Sequence, residues 1–210
     1  MTDRTIYIAT SNAGKLRDFA SAALPHSVKI APLPGFSKLA TVKEDGATFE
    51  ANARKKAEHY SALFPGSLVL ADDSGLEVQA LGGAPGVHSA RFAAAVGTGN
   101  ASDRANNEKL LGVLKGIGTT DRSARFVAVI AAAKGGGTLA TFSGEVEGGI
   151  AESPRGTQGF GYDPLFIVES TGRTMAELSA EQKAAISHRG RAFRRFLEWY
   201  ESQPISFAKL

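Results

Sequence analysis

The chain has 210 residues, enough for one large domain, or two closely packed lobes, around a sizeable core. With 43% hydrophobic and 21% charged residues it has the composition of an ordinary globular protein and carries no sign of disorder. The absence of cysteine excludes disulfides and thiolate metal sites, and a net charge of +3 is too small for the concentrated basic face of a duplex DNA binder.

Any metal here must use oxygen or imidazole ligands, and oxygen suits a hard ion such as Mg²⁺ or Mn²⁺. Met1-Thr2-Asp3-Arg4 leads straight into Ile6-Tyr7-Ile8, with no basic-then-apolar signal segment and no apolar run of bilayer length. The expected location is the cytoplasm. A few lysines focused on a cleft suit a small polyanion.

In chain order, Arg4 to Thr10 alternates and is rich in β-branched residues, which predicts a strand. The turn cluster Ser11-Asn12-Ala13-Gly14 passes into a helix over Lys15 to Leu24, with Leu16, Phe19, Ala20 and Ala23 on one face. Strand, polar loop, helix is the opening of an α/β unit. Val28 to Leu33 is a second candidate strand. Ala47 to Phe64 repeats Phe49, Ala53, Ala57, Tyr60 and Phe64 at helical spacing, with Asp45 or Thr48 as cap and Pro65-Gly66 as stop.

Ser67 to Ala71 reads as a short buried strand that delivers the chain into an Asp72-Asp73-Ser74-Gly75 turn. Leu76 to Leu81 continues as strand or helical turn, and Gly82 to Gly86 as loop. A helix over Ser102 to Lys115 turns Leu110, Leu111 and Leu114 inward. Ser123 to Ala133 and Thr138 to Ile150 alternate around Lys134-Gly135-Gly136-Gly137, which predicts an antiparallel hairpin. A glycine-rich loop over Gly156 to Pro164 precedes a strand over Leu165 to Val168, then a helical turn over Thr174 to Leu178. Ser179 and Gln182 form a capping box, and a last helix spans Arg189 to Glu201. No repeat or low-complexity linker interrupts the chain. The expectation is one α/β unit with a mixed sheet, in two lobes.

Five segments combine residues able to do chemistry. Thr10-Ser11-Asn12-Ala13-Gly14-Lys15 places backbone N–H groups and a lysine at a helix N-terminus, where an anion is attracted, although the P-loop spacing is absent. The same residues also make a plain turn with Asn12 as cap. Glu44-Asp45-Gly46 precedes Asn52 and Lys56, which share a helix face as cleft lining or as a solvated surface.

In Asp72-Asp73-Ser74-Gly75, two adjacent carboxylates repel and are disfavoured in strands. A cation resolves that conflict, and a polar turn at a strand end is the alternative. Gly159-Phe160-Gly161-Tyr162-Asp163-Pro164 sets an aromatic ring among glycines, either to stack on a base or to tuck inward. Lys183, Ser187, His188 and Arg189 suit phosphate or purine recognition, or form a basic helix end. No second histidine stands at ligand spacing from His188.

Together and in this order, these segments resemble the inosine triphosphate pyrophosphatase family. The resemblance rests on Thr10-Ser11-Asn12 through Lys15, Glu44 with Gly46, Thr48-Phe49-Glu50, Asn52-Ala53 and Lys56-Ala57. It continues with Ala71 to Leu76, Gly82 to Gly86, Ser89-Ala90-Arg91, Gly159 to Pro164, Glu177-Leu178, Lys183 and Ser187-His188-Arg189-Gly190. Departures are Lys43 and Asp45 around Glu44, Ala51 where a second glutamate is common, a glycine-rich Val96 to Ala101 and a tail from Gln203 to Leu210.

The resemblance implies an elongated mixed sheet with flanking helices, two lobes around a nucleotide cleft, a homodimer and dependence on Mg²⁺. It implies conversion of ITP, dITP and XTP to monophosphates plus pyrophosphate. Glu44, Asp73 and Asp72 are then the expected metal carboxylates, with Asp73 as general base. Thr10 to Lys15, Lys56 and Ser74 hold the phosphates. Phe160, Gly161, Tyr162, Asp163, Lys183, His188 and Arg189 surround the base. A pyrophosphatase for pyrimidine or methylated nucleotides, a nucleotide-binding regulator and a nucleic-acid binder are the competing readings.

Overall fold

The structure, a computed structural model, describes residues 4–26, 28–95, 99–118 and 120–203. The tail after Gln203, and residues 96–98 of the glycine-rich stretch, lie outside the described residues.

The first unit is β1 (Arg4–Ile8), α1 (Ala13–Ala23) and β2 (Val28–Pro32). Helix α1 starts where Asn12 accepts the Lys15 N–H, so the polar turn is also a cap. Helix α2 (Phe49–Leu63) begins at Thr48, which accepts the Ala51 N–H; Asp45 has no part in that cap. Then follow β3 (Val69–Val78), α3 (Asp103–Gly116), β4 (Ser123–Lys134), β5 (Gly137–Ile150), β6 (Phe166–Val168), α4 (Ala180–Ile186) and α5 (His188–Glu201). Ser187 ends α4 and caps α5, so the basic cluster spans a helix break.

The strands form one six-stranded sheet in the order β2-β1-β3-β4-β5-β6, parallel from β2 to β3 and antiparallel from β3 to β6. This is the expected α/β class with a mixed sheet and flanking helices. Near β1, one face is covered by α1 and α5 through Phe19, Phe193, Phe196 and Leu197 against Leu70 and Ile130. The other face is covered by α2 through Phe49, Ala53, Ala57 and Tyr60 against Ala71 and Val129. A third apolar cluster gathers Leu76, Leu110, Leu114, Phe126, Phe166 and Met175 at the far end.

One expectation is corrected. Asp72 to Gly75 is not a turn at a strand end but the middle of β3, which pairs with β4 without interruption from Val69↔Ala133 to Val78↔Ala124. Strand β3 then ends in a 3-10 turn over Gln79–Leu81. The strand tolerates two aspartates because β1 stops early: its pairing with β3 ends at Ile8↔Leu70.

Past that point the free edge of β3 meets other partners. Ala9 N–H reaches Leu70 C=O (2.7 Å), and Lys56 Nζ donates to Asp72 C=O (2.7 Å). Ser74 N–H turns to Asp73 Oδ1 (3.0 Å), and Leu76 N–H to Ser89 Oγ (2.9 Å). Val78 N–H reaches Ala84 C=O (3.1 Å). A buried strand edge must be satisfied in some such way.

Helix α5 lies close over β5 because Gly144 lacks a side chain: a Cβ there would stand 2.1 Å from the His188 carbonyl oxygen and 2.5 Å from Ala192 N. Gly144→Ala is expected to lose about 1–3 kcal/mol by overpacking. Gly112, exposed within α3 with open space around it, is the opposite case. Gly112→Ala should gain roughly 0.5–1 kcal/mol. Urea unfolding of both variants checks the pair.

Candidate active site

Successive strand residues point to opposite faces of a sheet. Asp72 and Asp73 therefore part company. Asp72 joins the α1 and α5 side, where Lys15 Nζ (3.1 Å), Arg189 Nε (3.3 Å) and Ser74 Oγ (3.3 Å) converge on its Oδ2. Its Oδ1 is buried with no hydrogen-bond partner. Asp73 joins the α2 side, where Asn52 Nδ2 donates to Oδ2 (2.9 Å) and the Ser74 N–H to Oδ1. Lys56 Nζ stands 3.9 Å from Asp73 Oδ1 and 3.1 Å from Glu44 Oε1.

Both carboxylates still open into one cleft of about 410 Å³, because it lies across the notch left by β1. Thr10, Ser11, Asn12, Lys15, Glu44, Lys56, Ser74, Phe160, Gly161, Tyr162, Asp163, Lys183, His188 and Arg189 line it as well. Every expected site residue is thus on the cleft wall except Ala13 and Gly14. Ala13 is exposed at the start of α1. Gly14 is buried under Phe160, whose ring would lie 2.4 Å from a Cβ at that position. Asn52 and Lys56 are buried, so that face of α2 is not a solvated surface; Lys56 lines the cleft, and Asn52 sits behind Asp73. Lys43 is exposed and pairs with Asp45 (3.8 Å).

The two aspartates differ in protonation as well as in direction. Burial alone would raise the Asp72 carboxyl, but Lys15 and Arg189 outweigh it and hold the group well below the usual aspartate range. Burial pushes Asp73 up, and neither Lys56, Lys15 nor the Asn52 hydrogen bond offsets it. Burial likewise lowers Lys15 despite Asp72. His188 is lowered well below the ordinary histidine value by burial, with Arg189 and Lys183 adding to the effect. Its neutral ring stacks on Phe126 (4.7 Å, 17°), and Nδ1 has no partner.

On the far side of the cleft Phe160 lies between α1 and the basic cluster. Lys183 Nζ is 4.9 Å and Arg189 Cζ 5.5 Å from its ring centroid. Asp163 binds Lys183 (2.7 Å) and accepts the Phe160 N–H (2.9 Å), so it organises the loop as well as lining the cleft. Burial raises its carboxyl against the pull of Lys183. Tyr162 donates its hydroxyl to Ser89 C=O (2.9 Å), and burial pushes the phenol far up.

Sequence reasoning missed Asp18. It accepts from Arg189 Nη1 (2.6 Å), and Lys183 Nζ lies 3.4 Å from it, which ties α4 and α5 to α1. The signal was its position three residues after Lys15, on the same helix face. Arg91 and Ser89 were visible in the family-like segment without a role. Arg91 donates to Glu44 C=O (3.1 Å), and Ser89 caps the β3 edge.

Residues 6–199 match the model of the Ham1 family. A protein of Geobacter sulfurreducens named dITP/XTP pyrophosphatase is 51% identical over 187 residues, covering 89% of this chain and 92% of that protein. One of Acidobacterium capsulatum with the same name is 50% identical over 194 residues, covering 90% and 95%. The solved structure of the Staphylococcus aureus Ham1 protein superposes with a TM-score of 0.80 at 42% identity, over 95% of this chain and all of that one.

Asp72 is a buried anion shared by two cations, so breaking the cluster leaves them unmatched. Asp72→Asn is expected to cost roughly 3–5 kcal/mol at neutral pH. Because its folded-state pKa is depressed, the Asp72 contribution is full above the ordinary aspartate range and fades as pH falls through the folded value. The stability gap between wild type and variant should therefore narrow in acid. Denaturant melts at neutral pH and near pH 3 give the comparison, and a gap independent of pH contradicts the assignment.

Proposed function

The chain belongs to the Ham1 family, and from that membership and the cleft's geometry we propose that it hydrolyses ITP, dITP and XTP to the monophosphates plus pyrophosphate. The observation that carries the reading is the division of labour along β3. One carboxylate, Asp72, is tied up with Lys15 and Arg189, while its neighbour Asp73 is oriented by neutral donors and made more basic by burial. A carboxylate held that way is suited to orient a water and take its proton. Lys15, Lys56 and the Thr10-Ser11-Asn12 turn ahead of α1 receive phosphate oxygens, and Ser74 adds a hydroxyl.

The charge balance supports a metal ion. Lys15, Lys56, Lys183 and Arg189 each have a carboxylate within 3.4 Å, namely Asp72, Glu44, Asp163 and Asp18. A triphosphate entering such a balanced cleft needs positive charge brought with it. The available ligands are oxygens, and Mg²⁺ commonly takes one or two carboxylates with the rest from water and phosphate. Among the described residues no cluster of three or more His, Asp or Glu side chains is arranged to hold a metal ion. Glu44 and Asp73 would hold the ion, with Asp72 Oδ1 the remaining candidate oxygen. When bound, it would neutralise phosphate charge and favour attack by water.

Phe160 supplies the stacking surface for the purine. Lys183 and Arg189 beside it have only donors to offer. A 6-keto oxygen accepts from such groups, whereas the amino group of adenine leaves a donor facing donors, at about 1–3 kcal/mol. A cytoplasmic homodimer belongs to the same reading; sedimentation velocity tests the dimer.

The decisive measurement is pyrophosphate release from a nucleotide panel with Mg²⁺ and with EDTA. ITP and XTP should lead, ATP and CTP should lag, and EDTA should abolish turnover. Tight ITP binding without pyrophosphate release would make the protein a binding module. Asp73→Asn is expected to cut kcat by about 100-fold or more while the chain stays folded by circular dichroism. Phe160→Ala should raise KM for ITP by roughly 5- to 100-fold. An unchanged KM removes Phe160 from the base site.

A further inference from the structure

Gly161, next to Phe160, has φ +62° and no side chain with which to anchor itself. Both of its backbone groups are nevertheless held, and both by α3. Its N–H donates to Asp103 Oδ2 (2.7 Å), and its carbonyl accepts from Asn107 Nδ2 (2.9 Å). Within the loop, Asp163 Oδ2 accepts the Phe160 N–H and the Asp163 N–H donates to the Phe160 carbonyl (3.2 Å). The peptides on either side of the ring are therefore fixed from two independent directions.

Helix α3 is itself tied to the neighbouring wall of the cleft. Asn106 Oδ1 accepts the Ala93 N–H (2.8 Å), and its Nδ2 donates to Ala90 C=O (3.3 Å). Asn107 is nearly buried, and its Oδ1 has no partner, so the bond to Gly161 alone fixes its amide. A half-satisfied amide is a poor way to stabilise a helix. Its one bond goes to the loop that carries the ring.

We propose that Asp103 and Asn107 are positioning residues for purine recognition, acting through Gly161 to hold the Phe160 ring in its stacking orientation without touching the phosphate half of the site. The proposal rests on the reading of Phe160 as the base platform.

The test uses the full chain and separates the two halves of the site. Binding of inosine monophosphate and of tripolyphosphate is measured by calorimetry, and ITP turnover by pyrophosphate release, for wild type, Asn107→Ala, Asp103→Ala and Asp103→Asn. The two alanine variants should weaken inosine monophosphate binding and raise KM for ITP about tenfold, with kcat and tripolyphosphate binding close to wild type. Asp103→Asn keeps an acceptor oxygen and should restore near-normal KM.

Equal losses toward both ligands, or none toward inosine monophosphate, overturn the proposal. So does a wild type that fails to bind inosine monophosphate at all. Wild type that binds it, with the expected differential in the variants, yet releases no pyrophosphate from ITP sinks the hydrolytic reading alone. A melting temperature for each variant identifies any loss of fold, and in that event Asn107→Asp, which keeps the shape but removes the donor, replaces Asn107→Ala.

Discussion

The active cleft exists because β3 outruns β1. Parallel pairing stops at Ile8↔Leu70, while antiparallel pairing with β4 carries β3 on to Val78. The result is a length of β3 with a covered back and an open edge inside the protein. An interior strand edge must be given partners. Those partners are the parts of the site: the ammonium of Lys56, the carboxylate of Asp73 turned onto its own neighbour's N–H, and the hydroxyl of Ser89. The notch also lets side chains from opposite faces of one sheet reach one cavity. Two adjacent aspartates, which alternation would otherwise send into separate cores, become two walls of one cleft.

That separation explains how two identical side chains acquire different chemistry. Asp72 faces Lys15 and Arg189 and is locked into its ionised form. Asp73 faces Asn52, a backbone N–H and a lysine kept at 3.9 Å, and its carboxyl rises with burial. Sites commonly tune paired acids apart in this way. Here the tuning needs only the strand's two-residue period and a different helix packed on each face.

The elements themselves were legible wherever periodicity and caps agree. Asn12, Thr48, Ser102 and Ser187 cap helices at or beside the predicted starts, and β4 and β5 pair as the predicted antiparallel hairpin. The course of β3 through Asp72 and Asp73 was not legible. Local propensity counts aspartate against a strand, and the compensation comes from Lys15, Lys56 and Arg189, which are distant in sequence from β3. The cleft wall was largely readable residue by residue, whereas its wiring was not. Asp18 could have been found as a neighbour of Lys15 on α1. Asp103 and Asn107 carry no local sign that they grip Gly161, since that contact spans more than fifty residues of chain.

On the proposed reading the cleft has a phosphate half and a base half, and the two are held by different means. The phosphate half is built from regular structure: the middle of β3, the first turn of α1 and a buried face of α2. A shift there would disturb sheet pairing or the shared anion Asp72, so its geometry is coupled to stability. The base half is a glycine loop whose ring is held from outside, by α3 through Gly161 and by Lys183 and Arg189 at 4.9 and 5.5 Å from its centroid. Those cations answer in turn to Asp18 on α1. On the proposed reading, base preference can therefore be altered through Asp103 and Asn107 while Asp73 and its partners stay as they are. Arg189 is the exception among the braces, because it also donates to Asp72. Of the groups around the base, Arg189 is the one whose loss would reach into the phosphate half, and it joins the two halves electrostatically.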